Sequence, residues 1–350
     1  MKLDLVPLGG PLPGGAENAQ ARWSERRGLG VVLTSSAGAR GFGEASPLPG
    51  YSPDTLAEAE AWLRGRAGDS RSWSVATDER RSPPQRLGDL LEDAAALVGS
   101  EGPPSARFAL EAAFLELAAV EAGRELAAVL ATPDAAPQVS VQHMVDHLDP
   151  EAAARLAATA RHVKVKVGRP GRFAEEQAVL RAVRAALPPG GALRVDVNQA
   201  FGPDELPDRL AALADLGVDA VEEPGPPAAV DTLSASPVPL VLDESLRGPG
   251  ALARAVRLTE AGVVVGWALK PAVLGGLVAT LEWVRAARAA GAWVSVGHLF
   301  DGPVAQRAYL ALARAVGSGP HGLAPHPGLA ALVPTDPVQG GLRWPRAPDV

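Results

Sequence analysis

His162-Val-Lys-Val-Lys-Val-Gly168, Leu193-Arg-Val-Asp-Val-Asn198, Val218-Asp-Ala-Val-Glu-Glu-Pro224, Pro239-Leu-Val-Leu-Asp-Glu-Ser245 and Val263-Val-Val-Gly-Trp-Ala-Leu-Lys270 follow one another along the chain on a single plan. Each is an apolar run that carries or ends in charged residues and leads through a loop toward a helical stretch. Apolar runs of this length, separated by helices, predict parallel strands buried on both faces. In a parallel barrel the C-terminal strand ends converge on one mouth, where active sites sit. Asp196, Glu222 and Asp243 would then end three successive strands, with Lys164 and Lys166 before them and Lys270 after.

Working outward, the rhythm of strand then helix begins at Gln138. Strands are expected at 138–144, 162–167, 193–197, 218–222, 238–242, 263–270 and 292–296. Helices are expected at 150–160, 172–187, 204–216, near 230, 249–259, 275–290 and 303–316. No glycine-rich dinucleotide fingerprint occurs, and the charged residues are spread over many strand ends instead of one switch point. Both points favour a barrel over an open sheet. Before it, residues 1–137 read as a small α+β capping domain. Gly28–Thr34 and Phe42–Ala45 would form a hairpin about a Gly38–Gly41 turn. Pro47-Leu-Pro-Gly-Tyr51 reads as a rigid loop. A helix is expected from a Ser52 N-cap, with Pro53 in its first turn, to about Arg66. Residues 67–88 read as loop, and helices follow at 87–98 and 105–121. The expected architecture is a modified (β/α) TIM-type barrel over 138–317 with this cap. Residues 318–350 form a C-terminal segment that returns to the cap.

The totals narrow the function. The 350 residues, 47% hydrophobic, suffice for two domains. The net charge of −7, with no basic tail, argues against nucleic acid. There are no cysteines, which excludes disulfides and thiolate catalysis. The broken N-terminus does not read as a signal peptide and no apolar run reaches the ~18 residues of a membrane span, so a cytoplasmic protein without membrane contact is expected. Oligomeric state is left open.

Lysine usage points to chemistry. Of 33 basic residues only four are lysine, namely Lys2, Lys164, Lys166 and Lys270. Arginine supplies surface charge throughout, so lysine persists where an amine that can lose its proton is wanted. Lys164 and Lys166 share one strand face, as do Arg194, Asp196 and Asn198. Three carboxylates with open positions suit a hard divalent cation, and Mg²⁺ above all. Parity sends the members of Glu222–Glu223 and Asp243–Glu244 to opposite sides, and the sequence does not say which member faces the mouth. Lys164 as a like charge, burial and a nearby cation would all lower the pKa of Lys166. Such an amine can take a proton next to a carboxylate while a metal steadies the enediolate. A small-molecule carboxylate substrate follows. His298 would end the last strand and face the mouth. His143, His147, His321 and His326 read as structural or solvated.

These residues resemble the enolase superfamily, in its muconate lactonizing enzyme subgroup, and most closely the o-succinylbenzoate synthase family. The carriers are Lys164-Val-Lys166 for K-x-K, Asp196-Val-Asn198 for D-x-N, Glu222-Glu-Pro224, Asp243-Glu-Ser245 and Leu269-Lys-Pro271. Gly43-Glu-Ala-Ser-Pro-Leu-Pro-Gly-Tyr-Ser52 and Pro104-Ser-Ala-Arg-Phe-Ala-Leu-Glu111 extend the likeness into the first domain. The resemblance implies Mg²⁺ on Asp196, Glu222 and Asp243 and a catalytic Lys166 with Lys164 and Lys270. It places Arg194, Asn198, Gly297 and His298 at the substrate. It further implies syn-dehydration of a cyclohexadiene carboxylate in menaquinone biosynthesis; racemisation of N-succinylamino acids or epimerisation of dipeptides would be the alternative. Two stretches depart from the family pattern. Ser295-Val-Gly-His-Leu-Phe-Asp301 stands where a serine-rich run is usual, and Val139-Ser-Val-Gln-His143 where V-x-V-N-A is usual.

Overall fold

The computed structural model describes residues 1–17, 21–67, 83–130, 135–317, 319–335 and 344–346. It contains two sheets. The first is antiparallel, with β1 (Lys2–Glu17), β2 (Arg22–Thr34) and β3 (Arg40–Ala45) in sequence order. The long β1 goes beyond the expected hairpin, because its Gly-Pro runs pair with β2 through a register shift between Pro11 and Ala16. Helix Pro104–Glu121 lies across β3 so closely that a Cβ at Gly43 would stand 1.8 Å from the Ala109 carbonyl oxygen, and one at Gly41 2.0 Å from that of Ala113. Only glycine permits this approach.

The first helix spans Leu56–Ala67, and Ser52 is not its cap. Thr55 and Glu58 form a reciprocal capping box: the Thr55 N–H donates to Glu58 Oε2 at 2.8 Å and the Glu58 N–H to Thr55 Oγ1 at 3.3 Å. Ser52 Oγ instead accepts from the Leu48 N–H and folds the Pro47–Tyr51 loop on itself. The next helix starts at Pro83, four residues before the expected 87. The rest of the expected 67–88 loop, residues 68–82, lies outside the described residues.

The second sheet is parallel. Its seven strands are β4 (His143–Val145), β5 (His162–Lys166), β6 (Ala192–Asp196), β7 (Ala220–Glu222), β8 (Leu240–Leu242), β9 (Val264–Leu269) and β10 (Trp293–Val296), each paired with its sequence neighbour. Parallel neighbours need long crossovers, which the helices Pro150–Ala157, Phe173–Ala186, Leu206–Asp215, Ala251–Glu260 and Leu277–Ala290 supply with the short Pro227–Val230. Val163, Val165, Leu193 and Val195 face these helices and are almost wholly buried, so the alternate residues of the same strands must point inward. The expected strand 138–144 shrinks to three residues. Ahead of it Val141 bridges His321, and Gly322 bridges Gly297 at the end of β10. The segment about His321–Gly322 thus fills the gap between β10 and β4 and closes the wall. The fold is a TIM-type barrel with an α+β cap. The expected helix 275–290 is split: Pro271–Leu274 is a separate turn, and Gly275 (φ 89°) and Gly276 (φ 142°) take left-handed conformations before Leu277.

Two acids from the N-terminal region seat the cap on the barrel. Glu111 accepts from the N–H groups of Leu277 and Val278, and Glu44 from those of Gly302 and Ala305. Each carboxylate thereby serves the N–H groups at the start of a barrel helix. Further along, Thr335 and Gly9 bond across to Pro7 and Val333, laying the chain after the barrel against β1. Among the described residues no helix is long and apolar enough to cross a membrane.

Candidate active site

A cavity of about 530 Å³ opens at the C-terminal ends of the barrel strands, and Lys164, Lys166, Asp196, Asn198, Glu222, Asp243, Lys270, Gly297 and His298 all line it. Strand register explains the grouping. Lys166 pairs with Asp196, and Asp196 with Glu222, so the three stand side by side in one row. One layer down, Lys164 pairs with Arg194 and Arg194 with Ala220. That layer explains why Arg194, expected at the substrate, does not reach the cavity. Its guanidinium stacks 4.1 Å above the Trp293 ring and forms part of the barrel floor. Lys164 is long enough to rise from the same layer, with Nζ 2.7 Å from Glu222 Oε1 and 3.7 Å from Asp196 Oδ2.

The structure also answers the parity question. Glu222 and Asp243 face the cavity. Glu223 (φ 44°) turns away and accepts from the Asp243 N–H at 2.7 Å and Ser245 Oγ at 3.1 Å. Glu244 turns away too, its Oε1 taking a hydrogen bond from Asn198 Nδ2 at 3.0 Å. Asn198 (φ 49°) also brings its own N–H to 3.3 Å from Asp196 Oδ1, so it braces two acids besides lining the cavity. Backbone strain at Asn198, Gln199, Glu223 and Phe300 (φ 54°) is concentrated around this mouth.

The three lysines differ electrically. Burial drives Lys166 below the ordinary lysine range, and Lys164 and Lys270 add to the effect against Asp196 and Asp146. Burial also opposes charge on Lys164, but Glu222 and Asp196 outweigh it and hold the pKa above that range. Lys270 is likewise raised, since Asp243 and Glu244 overcome burial. Lys270 Nζ donates to Asp243 Oδ2 and, at 2.6 Å, to Tyr51 Oη; Tyr51 Oη donates to Asp243 Oδ1 at 2.9 Å.

In donor chemistry, though not as a converged cluster, the acids suit a divalent cation. Burial pushes Glu222 up to about 7 despite Lys164, with Asp196 and Asp243 adding repulsion, and a cation among these hard oxygens would relieve that cost. Among the described residues no three acidic or imidazole groups converge as a ready ligand cluster. The amines take up the charge instead, Lys164 spanning Asp196 and Glu222 while Lys270 neutralises Asp243.

The outer wall contains what the sequence reading missed. Trp23, Leu48 and Tyr51 reach in from the cap, and Phe300, His143 and His326 join them. His326 and His143 therefore depart from their expected structural or solvated role. The His326 ring stacks on His298 with centroids 3.7 Å apart, and burial, with Arg26 adding, lowers its pKa to about 3. The His298 pKa is lowered too, burial first and then His326 and the lysines; its Nδ1 accepts from the Phe300 N–H at 3.0 Å. Gly297 lies beside the stem of Lys270: a Cβ added there would stand 3.6 Å from Lys270 Cε. His321 is structural as expected, its Nδ1 accepting from the Val296 N–H. His147 is exposed, its Nδ1 accepting from the Asp149 N–H.

Comparison with known proteins identifies the family and the fold. Residues 148–347 match the family described as enolase C-terminal domain-like. The o-succinylbenzoate synthase of Thermobifida fusca is 36% identical over 209 residues, 57% of this chain and 63% of that protein. The o-succinylbenzoate synthase of Desulfotalea psychrophila is 29% identical over 64% of this chain and 57% of its own length, so the match spans less than two thirds of either synthase. Among solved structures, a dipeptide epimerase from Methylococcus capsulatus, complexed with Mg and the dipeptide L-Arg-D-Lys, superimposes with a TM-score of 0.76. It is 25% identical, with 95% of this chain and 92% of that one covered.

Proposed function

The chain belongs to the enolase superfamily, its residues 148–347 matching the enolase C-terminal domain-like family, and from that premise we propose that it is a Mg²⁺-dependent enzyme removing a proton next to a carboxylate, specifically an o-succinylbenzoate synthase. In this reading residues 1–137 cap the site and 138–317 carry the chemistry. The observation that carries it is the row Lys166–Asp196–Glu222 at the rim of one cavity, with Lys270 four strands away on the facing wall. Asp196, Glu222 and Asp243 would hold the metal, which when bound lowers the cost of negative charge developing on the substrate carboxylate.

The chain's own residues do the rest. Lys166, with its pKa depressed, is suited to be the base. Its amine takes the proton α to the carboxylate of 2-succinyl-6-hydroxy-2,4-cyclohexadiene-1-carboxylate. The resulting ammonium then gives that proton to the departing hydroxyl on the same face, and water and 2-succinylbenzoate are left. This is the dehydration used in menaquinone biosynthesis. Lys270, held as a cation against Asp243 and Tyr51, offers fixed positive charge to the opposite face. Lys164 stays protonated between Glu222 and Asp196 and keeps both acids aimed at the cavity. The Thermobifida and Desulfotalea relatives and the Pro-Leu-Pro-Gly-Tyr51 loop support this choice.

The second reading is a racemase or epimerase acting on N-succinylamino acids or dipeptides. A lysine on each wall and the likeness to the Methylococcus epimerase favour it. The two are separated by assaying one preparation for dehydration of the cyclohexadiene substrate and for α-proton exchange in D₂O with each enantiomer of an N-succinylamino acid. Faster dehydration supports the synthase. Comparable exchange of both enantiomers that outpaces dehydration replaces it with the racemase.

A further inference from the structure

Arg26 lies on β2, outside the cavity, with 1% of its surface exposed. One guanidinium there reaches two segments 253 or more residues apart in sequence. Nε donates to the Phe300 carbonyl at 3.2 Å, Nη1 to that of Pro47 at 3.0 Å and Nη2 to that of Ser46. Asp301 Oδ1 stands 3.8 Å from Nη2. Ser46 and Pro47 begin the loop that delivers Tyr51 to Asp243 and Lys270. Phe300 is the strained residue whose ring lies 5.7 Å from Lys166 Nζ and packs against Trp23 and His298. A left-handed conformation at a bulky residue persists only where its surroundings fix it, and the bond to the Phe300 carbonyl is one such constraint.

We infer that Arg26 is a positioning residue which, through this single fork of hydrogen bonds, sets the wall over Lys166 and the wall over Lys270 together. The inference rests on the reading that Lys166 does the proton work while Lys270 supplies fixed charge on the facing wall. Burying a guanidinium is costly unless its donors and charge are met; here three of its five N–H groups go to carbonyls, and Asp301 stands against the charge. Lysine at this place would keep the charge and lose the planar fork, since its donors radiate from one atom and cannot reach three carbonyls in this geometry.

The test is Arg26→Lys in protein labelled with 4-fluorophenylalanine. The chain has six phenylalanines, and the resonance that disappears in Phe300→Leu belongs to Phe300. In Arg26→Lys that resonance is expected to shift or broaden while the others stay. The kcat should fall about 10- to 100-fold, as for a small misplacement of catalytic groups, with KM within about threefold. Wild-type kcat with an unmoved Phe300 resonance would make Arg26 a core filler and overturn the inference. Should Arg26→Lys not fold, Arg26→Gln, whose single amide can donate to one wall at most, takes its place. The same resonance must then move and kcat drop at least about threefold, and neither change overturns the inference equally. If the wild-type protein neither dehydrates nor exchanges, the functional reading fails on its own, while the fluorine spectrum still decides whether Arg26 holds Phe300.

Discussion

The rim of the barrel and the wall above it are built on different rules. At the rim, Lys166, Asp196 and Glu222 are neighbours because three parallel strands run in register and side chains alternate in and out. The wall has no such period. Tyr51, Trp23, Phe300 and His326 come from the cap, the loop after β10 and the chain after the barrel, and meet only through tertiary contacts such as the Arg26 fork. A rim built on strand pairing tolerates little change in side-chain chemistry. A wall built of loops can alter what it accepts without disturbing the strands, and His298 and Phe300, in a stretch that departs from the pattern of the synthases the chain resembles, stand there.

The largest effect should come from the rim acids. Asp196→Asn, Glu222→Gln and Asp243→Asn are each expected to lower kcat/KM by about 10³-fold or more while leaving the fold, because each removes a charge aimed at the cation. Excess EDTA should do the same to the wild type. Turnover that survives both treatments would break the comparison at its base.

The lysines come next. Lys166→Arg should be inactive, since arginine does not give up its proton at neutral pH. Lys270→Arg keeps a cation on the far wall and should retain measurable dehydration, about 10- to 100-fold below wild type through misplacement. Equal losses in the two variants would show that the walls share the proton work.

Stability gives a third measure, at the seat of cap on barrel. Burial first of all raises Glu111 and Glu44 to about 7 from 4.5, against the hydrogen bonds they accept. The folded chain therefore holds protons that the unfolded chain releases between those values. Stability should fall as pH rises from about 4.5 through about 7, by up to ~3 kcal/mol for each acid. Urea midpoints at pH 5 and pH 8 should differ less in Glu111→Gln than in the wild type, and an unchanged difference would remove Glu111 from the account.

The smallest effect is expected at the wall itself. His298→Ala should raise KM by about 3- to 10-fold and leave kcat within about twofold, since a neutral imidazole in the wall contributes roughly one hydrogen bond or ring contact. A fall in kcat larger than the rise in KM would move His298 from the wall to the chemistry.

Barrel class, the order of its strands and the rim residues could all be read from the sequence. Apolar runs of period two place alternate residues on one face, and parallel strands that end together bring Lys166, Asp196, Glu222, Asp243 and Lys270 to one mouth. Local pattern does not say how far along a strand the cavity begins, which is why Arg194, on the right face but one layer too deep, was expected at the substrate. Strand parity alone does not tell Glu222 from Glu223, and only the family resemblance selects Glu222; the structure supplies the physical reason, a positive φ at Glu223 fixed by its bonds to Asp243 and Ser245. Thr55 rather than Ser52 capped the first helix because Ser52 was drawn into the Pro47–Tyr51 turn. Tyr51 lies 192 residues from Asp243 in sequence, and His326 is set among prolines that carry no period. Their place in the cavity was decided only when cap and barrel packed together, since loops are positioned by the bodies they join and not by their own spacing.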